Sequence, residues 1–220
     1  MDFAALRLSL ALSALTTVAL LALGLPIAHW LTTTRWRGKI LVEAVVALPL
    51  VLPPTVLGFY LLVTFGPRSP LGRAFVAVTG HTLAFSFEGL LVASILYSLP
   101  FAVQPFAAAL ARVDPRLVEA SYTMGESPLR TFRRVTLPLA LPGVVAGAVL
   151  AFAHTLGEFG VVLMVGGNLP GATRTLSISI YDAVEQLDYA AAGRTSLLLL
   201  AVSFSVLVLT YALQRRSLLA

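Results

Sequence analysis

Cysteine is absent from this chain of 220 residues, and charge is scarce, at 11%. Without a thiol there is no disulfide framework, no cysteine nucleophile and no cysteine metal site. Set against 58% hydrophobic residues, so little charge excludes a soluble domain, which at this length has too little interior to hide its apolar surface. The composition reads as an all-α integral membrane protein lying in a lipid bilayer. Other absences narrow the chemistry. There is no phosphate loop of the form GxxxxGK followed by Ser or Thr, no HExxH and no GxSxG. ATP, if it drives this protein, is bound by another subunit. His29, His81 and His154 are scattered, so no metal site is assigned, and no paired catalytic constellation is present. No internal repeat, low-complexity segment or soluble domain interrupts the chain. Net charge is +5, but the basic residues sit at the ends of apolar runs and not in a cluster suited to nucleic acid.

The apolar runs predict a single transmembrane unit over residues 1–220 with five spans, at about 8–30, 40–65, 89–110, 139–165 and 195–213. The first run is long enough to cross a bilayer and is read as a retained helix, not a signal peptide. The second is unusual, because Pro49, Pro53 and Pro54 lie near its middle, followed by Thr55. Each interior proline removes a backbone bond, and in lipid the freed carbonyls need protein or a watery cavity beside them. Short helices are expected around Leu71–Val78 and Leu176–Leu187, the latter amphipathic or re-entrant.

Between the third and fourth spans, about residues 112–138, lies a long polar interruption that does not read as a plain turn. It contains EASYTMGESPLRTFRRVTLP, from Glu119 to Pro138. A helix should break at Gly125, and a second, short one should start with Ser127 as its cap and Pro128 at its first position. Leu129, Phe132 and Val135 give that second helix an apolar face opposite Arg130, Arg133 and Arg134. From periodicity alone this helix either lies among lipid headgroups or docks on a protein.

One polar group falls within the fourth span, His154-Thr155-Leu156-Gly157-Glu158. A carboxylate in a spanning helix is costly, about 2.5 kcal/mol or more near its centre. Four-residue spacing puts His154 and Glu158 on one helix face, where they can pair. Either they form a structural pair, or this face with Thr155 lines or gates a polar pathway.

Charge asymmetry orients the spans. With the N-terminus outside and the C-terminus cytoplasmic, the inner loops hold Arg35, Arg37, Lys39, Arg112, Arg116, Arg130, Arg133, Arg134, Arg215 and Arg216. The outer side then keeps only Arg7, Arg68, Arg73, Arg174 and Arg194.

The spacing Glu119-Ala120-Ser121, three residues, Gly125, nine residues, Val135, one residue, Leu137-Pro138 resembles the EAA loop of bacterial ABC-importer permeases. Ser121 stands where that pattern has its second Ala, and Val135 where it has Ile. Leu48–Gly58 (LPLVLPPTVLG), Leu156–Gly171 (LGEFGVVLMVGGNLPG) and Thr173-Arg174-Thr175-Leu176 extend the likeness to molybdate ABC importer permeases over nearly the whole chain. His154 is a departure, since Arg is common there. The resemblance implies a type I ABC-importer permease core with short coupling and re-entrant helices. It also implies a homodimer with two ATP-binding subunits, which carry the ATP and Mg, and a periplasmic or lipid-anchored molybdate-binding protein. No cofactor is expected on this chain and no enzymatic activity. In such a permease Glu119, Ala120, Ser121, Gly125, Ser127, Pro128, Leu129, Val135, Leu137 and Pro138 would couple to the ATPase. Pro53, Pro54, Thr55, His154, Thr155 and Glu158 would line or gate the path in the cell (inner) membrane. Sulfate or tungstate as cargo, and an ATP-independent anion carrier or channel, are the alternatives.

Overall fold

The computed structural model describes residues 2–219, with the side chains at 209, 211 and 213–219 left aside; Arg215 and Arg216, counted in the charge asymmetry, lie outside the described side chains. The described residues form helices joined by short turns: α1 (Phe3–Thr33), α2 (Lys39–Val51), α3 (Pro54–Phe65), α4 (Pro70–Thr79), α5 (Phe87–Ala111), α6 (Pro115–Thr123), α7 (Pro128–Thr131), α8 (Leu137–Leu156), α9 (Gly160–Gly166), α10 (Leu176–Glu185) and α11 (Tyr189–Leu219). A π-helical turn, Phe132–Thr136, joins α7 to α8. Four stretches are long and apolar enough to cross a bilayer: Phe3–Thr33, Phe87–Ala111, Pro128–Leu156 and Tyr189–Val208. The bent pair α2 and α3 makes a fifth if its two halves are counted together, by length and composition.

The centre is a three-helix contact of α1, α5 and α8. On α1 the buried residues Leu20, Gly24, Ala28 and Leu31 recur every three or four positions, one stripe of a helix. Phe106 of α5 is fully buried against them. A Cβ at Gly24 would lie 3.6 Å from its ring, and one at Gly147 of α8 only 2.8 Å. The two glycines therefore form the slot that holds Phe106, close approach being available only where no Cβ intervenes. Buried hydroxyls in α1 are satisfied locally where they can be. Ser13 donates to the Ser9 carbonyl at 2.8 Å and Thr17 to the Ser13 carbonyl at 2.7 Å. Ser9 is used differently: its Oγ accepts the Leu176 N–H at 2.8 Å, pinning the start of α10 to the start of α1.

The second apolar run breaks where its prolines interrupt it, at Leu52-Pro53, and the halves meet at 110°. Pro53 and Pro54 offer no N–H to the Pro49 and Leu50 carbonyls, so two consecutive helical bonds are lost. Two expectations need correction. The second helix of the polar loop does not end before the membrane. It runs from Pro128 through the π turn straight into α8, because Leu137 N–H reaches back five residues to the Phe132 carbonyl and the wider turn accommodates Pro138. The fourth span is not continuous over 139–165. α8 stops at Leu156, and residues 157–159 separate it from α9. Gly157 and Gly160 flank this break, and glycine is a poor helix former.

Candidate functional site

The polar loop is built from its glycine outward. Gly125 has φ +83°, a left-handed conformation natural to glycine. It closes α6 with the Glu126 N–H donating to the Ser121 carbonyl at 3.2 Å and the Gly125 N–H to Tyr122 at 2.9 Å. Ser127 then caps α7, with Pro128 at its first turn. Ser121 and Thr131, both buried, share a hydroxyl hydrogen bond of 2.9 Å that ties α6 to α7. The carboxylate that neutralises the arginines is Glu126, 3.0 Å from Arg130 and 3.3 Å from Arg134. It sits three residues before Leu129 and was not singled out in the sequence. Glu119, Ala120, Ser127, Pro128 and Pro138 are exposed, and Val135 and Leu137 half-buried. Leu129 is 60% exposed and Met124 75%, with Leu117 and Tyr122 exposed beside them on α6. Phe132 is covered by its own chain, 4.5 Å from the His29 ring. Between the end of α1 and this loop lies a cavity of about 550 Å³ lined by His29, Thr32, Glu119, Tyr122, Phe132 and Thr136. The loop and the Thr34–Gly38 turn are thus at one end of the molecule, and the Gly167–Thr175 loop, joined to the start of α1 through Ser9, is at the other.

Nearer the Gly167–Thr175 end, the two helix breaks meet: α8 runs 20 residues from the coupling loop before its break, and α9 only 7 beyond it. A Cβ at Gly160 would fall 2.7 Å from Pro54, and one at Gly58 2.7 Å from Met164, so α3 and α9 lie side by side with Pro54 against the Gly157–Gly160 break. Pro53 and Thr55 are exposed in the single chain.

His154 and Glu158 do not pair. Helix α8 ends between them, so the four-residue spacing no longer places them on one face. His154 instead joins a hydroxyl network with α5. Thr155 Oγ1 donates to the Ala151 carbonyl at 3.0 Å, and Ser98 Oγ lies 2.9 Å from both Thr155 Oγ1 and His154 Nδ1. Each hydroxyl has one proton, so Ser98 donates to Thr155 and His154 Nδ1–H donates to Ser98, which assigns the imidazole tautomer. The ring stacks on Phe101 at 3.7 Å and tilts against Tyr97 at 5.0 Å. Glu158 is 4% exposed, and neither of its oxygens has a hydrogen-bond partner. The Ser94 hydroxyl is near the carboxylate, yet outside hydrogen-bonding geometry. Ser94, Tyr97, Ser98 and Phe101 were missed in the sequence, although their spacing along α5 is itself a helical stripe.

Among the described residues no group of three His, Asp or Glu is arranged to hold a metal ion. The structure brings together here a broken backbone, two hydroxyls and an imidazole within apolar helices.

Comparison with known proteins gives a consistent set of likenesses. Residues 21–218 match the family model described as "Binding-protein-dependent transport system inner membrane component". The chain is 52% identical over 214 residues to the molybdenum transport system permease protein ModB of Azotobacter vinelandii, covering 97% of this chain and 95% of that one. It is 38% identical over 208 residues to ModB of Escherichia coli K12, covering 94% and 90%. Among solved structures, it resembles a chain of the inward-facing MetNI methionine ABC transporter with a TM-score of 0.77 at 21% identity, covering 98% and 95%. A chain of a bacterial alginate ABC importer aligns with a TM-score of 0.80 at 17% identity, covering 97% and 79%.

Proposed function

Because the chain belongs to the family of binding-protein-dependent transport system inner membrane components, we propose that it is the membrane-spanning permease of an ATP-driven molybdate importer. Two copies would enclose the path at their interface, two ATP-binding subunits would dock on the Glu119–Pro138 loops, and an external binding protein would deliver the anion.

The observation that carries this reading is the pair of helix breaks. Pro49 and Leu50 lose their helical hydrogen-bond donors in the middle of an apolar run, and the adjoining Val51, Pro53 and Thr55 are exposed. Lipid cannot satisfy a carbonyl, so irregular backbone at this depth belongs beside protein or water. The α8–α9 break abuts it, with the unpartnered Glu158 behind. A hinge at the same level in two neighbouring elements suits rocking between inward- and outward-facing states. The exposed Thr55 hydroxyl at the break makes a weak contact with an oxyanion, as a path must if the ion is to leave it.

The exposed Leu117, Tyr122, Met124 and Leu129 suit coupling. They project beside Glu119 at the end of the molecule away from the Gly167–Thr175 loop. Continuity of α7 with α8 gives a stiff lever: a push on Leu129 is delivered along one helix to the break at Gly157. With the N-terminus outside, this loop is cytoplasmic, where an ATPase resides.

The test is reconstitution. The chain is co-purified with its candidate ATPase and binding-protein partners, and liposomes are assayed for labelled molybdate and sulfate. Uptake of molybdate that needs ATP and both partners is the expected result. Sulfate or tungstate taken up in preference would change the cargo, and movement without an ATPase would return the chain to an ATP-independent carrier.

A further inference from the structure

We propose that Gln104 of α5 lines the half of the translocation path nearer the coupling loop and donates its side-chain amide to the passing oxyanion, with Lys39 of α2 at the mouth. The proposal rests on the permease reading above and adds the residue that touches cargo in that half.

Along α5, the residues exposed toward the coupling end are Gln104, Ala108 and Ala111. They are small or polar, whereas the exposed Val92 and Leu96 at the other end are large and apolar. Gln104 is seven residues from the end of α5, about 10 Å along the axis, and so within membrane depth. An exposed amide there is poorly served by lipid, and polar side chains in spanning helices face protein or a watery cavity. A groove of about 670 Å³ opens beside it. Ala107, Ala108 and Ala111 of α5 form one wall, and Val46 and Ala47 of α2 the other, with Lys39 and Glu43 at the outlet. The groove therefore runs from just below the proline break of α2 to the end of the molecule that bears the coupling loop.

The chemistry fits a tetrahedral dianion. The Gln104 amide supplies two N–H donors and no charge. Lys39 supplies the only cation among the lining residues, and Glu43 lies 3.9 Å from it in an exposed pair. That pairing tempers the positive charge, so an anion is drawn to the mouth without being held there. Elsewhere the walls are apolar, from Leu31, Val46 and Val103 to the alanines, and the Thr32 hydroxyl is already donated to the His29 carbonyl at 2.9 Å.

The chain has no cysteine, so a single Gln104→Cys substitution reports from one position. It is made in the complex with the ATP-binding subunits, and a membrane-impermeant sulfonate thiosulfonate is applied from the coupling-loop side, with modification read as a mass shift of this chain. Modification that molybdate slows is expected, alongside modification of Lys39→Cys at the mouth. Gln104→Glu should lower initial molybdate uptake about tenfold through like-charge repulsion, and Gln104→Asn should retain most of it. An unreactive Cys at 104 with a reactive Cys at 39 would overturn the proposal. So would a disulfide between two copies, which would mean that the groove is filled by the second copy, or full uptake by Gln104→Glu. Wild-type vesicles measured in parallel separate the two layers. Absence of ATP-dependent uptake by wild type removes the permease reading itself, whereas normal wild-type uptake with a silent Gln104 removes only this assignment.

Discussion

Replacing Gly125 by Ala should weaken attachment of the ATP-binding subunit while leaving the membrane core intact. Gly125 sits at φ +83°, and a Cβ added there would meet nothing within 4 Å. The whole cost is therefore conformational, about 1–2 kcal/mol for an L-residue held left-handed. The cost falls on the turn that closes α6 and aims it at α7. If the turn opens in the free permease, binding must restore it, and the apparent affinity for the ATPase drops by up to about 5–30-fold. Asn tolerates this conformation better and should recover much of the loss. Gly147→Ala is the contrasting case. Its Cβ would lie 2.8 Å from Phe106 and 3.0 Å from Pro105, an overpacking of about 1–3 kcal/mol in the three-helix core. The assay pairs binding titration of the purified ATPase with melting of the detergent-solubilised permease. Gly125→Ala should move the first and spare the second, and Gly147→Ala should lower the melting temperature. Wild-type ATPase affinity in Gly125→Ala would refute the argument, as would equal weakening by Ala and Asn, since that would implicate the added side chain and not the backbone angle.

Three further outcomes follow from the same geometry. Ser121→Ala should loosen α6 from α7, because it removes one hydrogen bond and leaves the buried Thr131 hydroxyl without its partner, at about 1–3 kcal/mol. Faster amide exchange in both helices would register it, and adding Thr131→Val should restore protection. Glu158→Gln should hold or raise the melting temperature, since it replaces a buried carboxylate without a hydrogen bond by a neutral isostere, and should alter transport more than stability; a collapse of folding would instead make Glu158 a structural anchor. Asn168→Cys should react with an impermeant thiol reagent from outside intact cells, and reaction confined to the cytoplasmic side would reverse the topology.

Several local features were legible in the sequence because they depend on residues a few positions apart. Ser127 and Pro128 start a helix wherever they fall. Gly125 ends one because the residue after a helix so often turns left-handed, and Pro53-Pro54 breaks one because two N–H groups are missing. The short helix expected around Leu71–Val78 forms as α4, Pro70–Thr79, and that around Leu176–Leu187 as α10, Leu176–Glu185. The continuity of α7 with α8 was not legible. Leu137-Pro138 reads as a stop, and only the five-residue reach of the Leu137 N–H lets the helix pass it. The pairing of His154 with Glu158 failed for a related reason: an i, i+4 argument presumes an unbroken helix, and Gly157 breaks it.

What the sequence determined by itself was the solvent and the punctuation. A chain with this little charge and this much apolar surface has to lie in lipid, and lipid then requires helices, whose ends and breaks are set by glycine, proline and short polar caps. The tertiary structure decided which polar groups meet. Ser98 reaches His154 across 56 positions of sequence and Ser9 reaches Leu176 across 167, and no local rule foresees either. Gly160 lies against Pro54 because α3 and α9 pack side by side. That contact turns two separate interruptions into a single break at one depth, and a break shared by neighbouring elements is what allows the packed helices to rock.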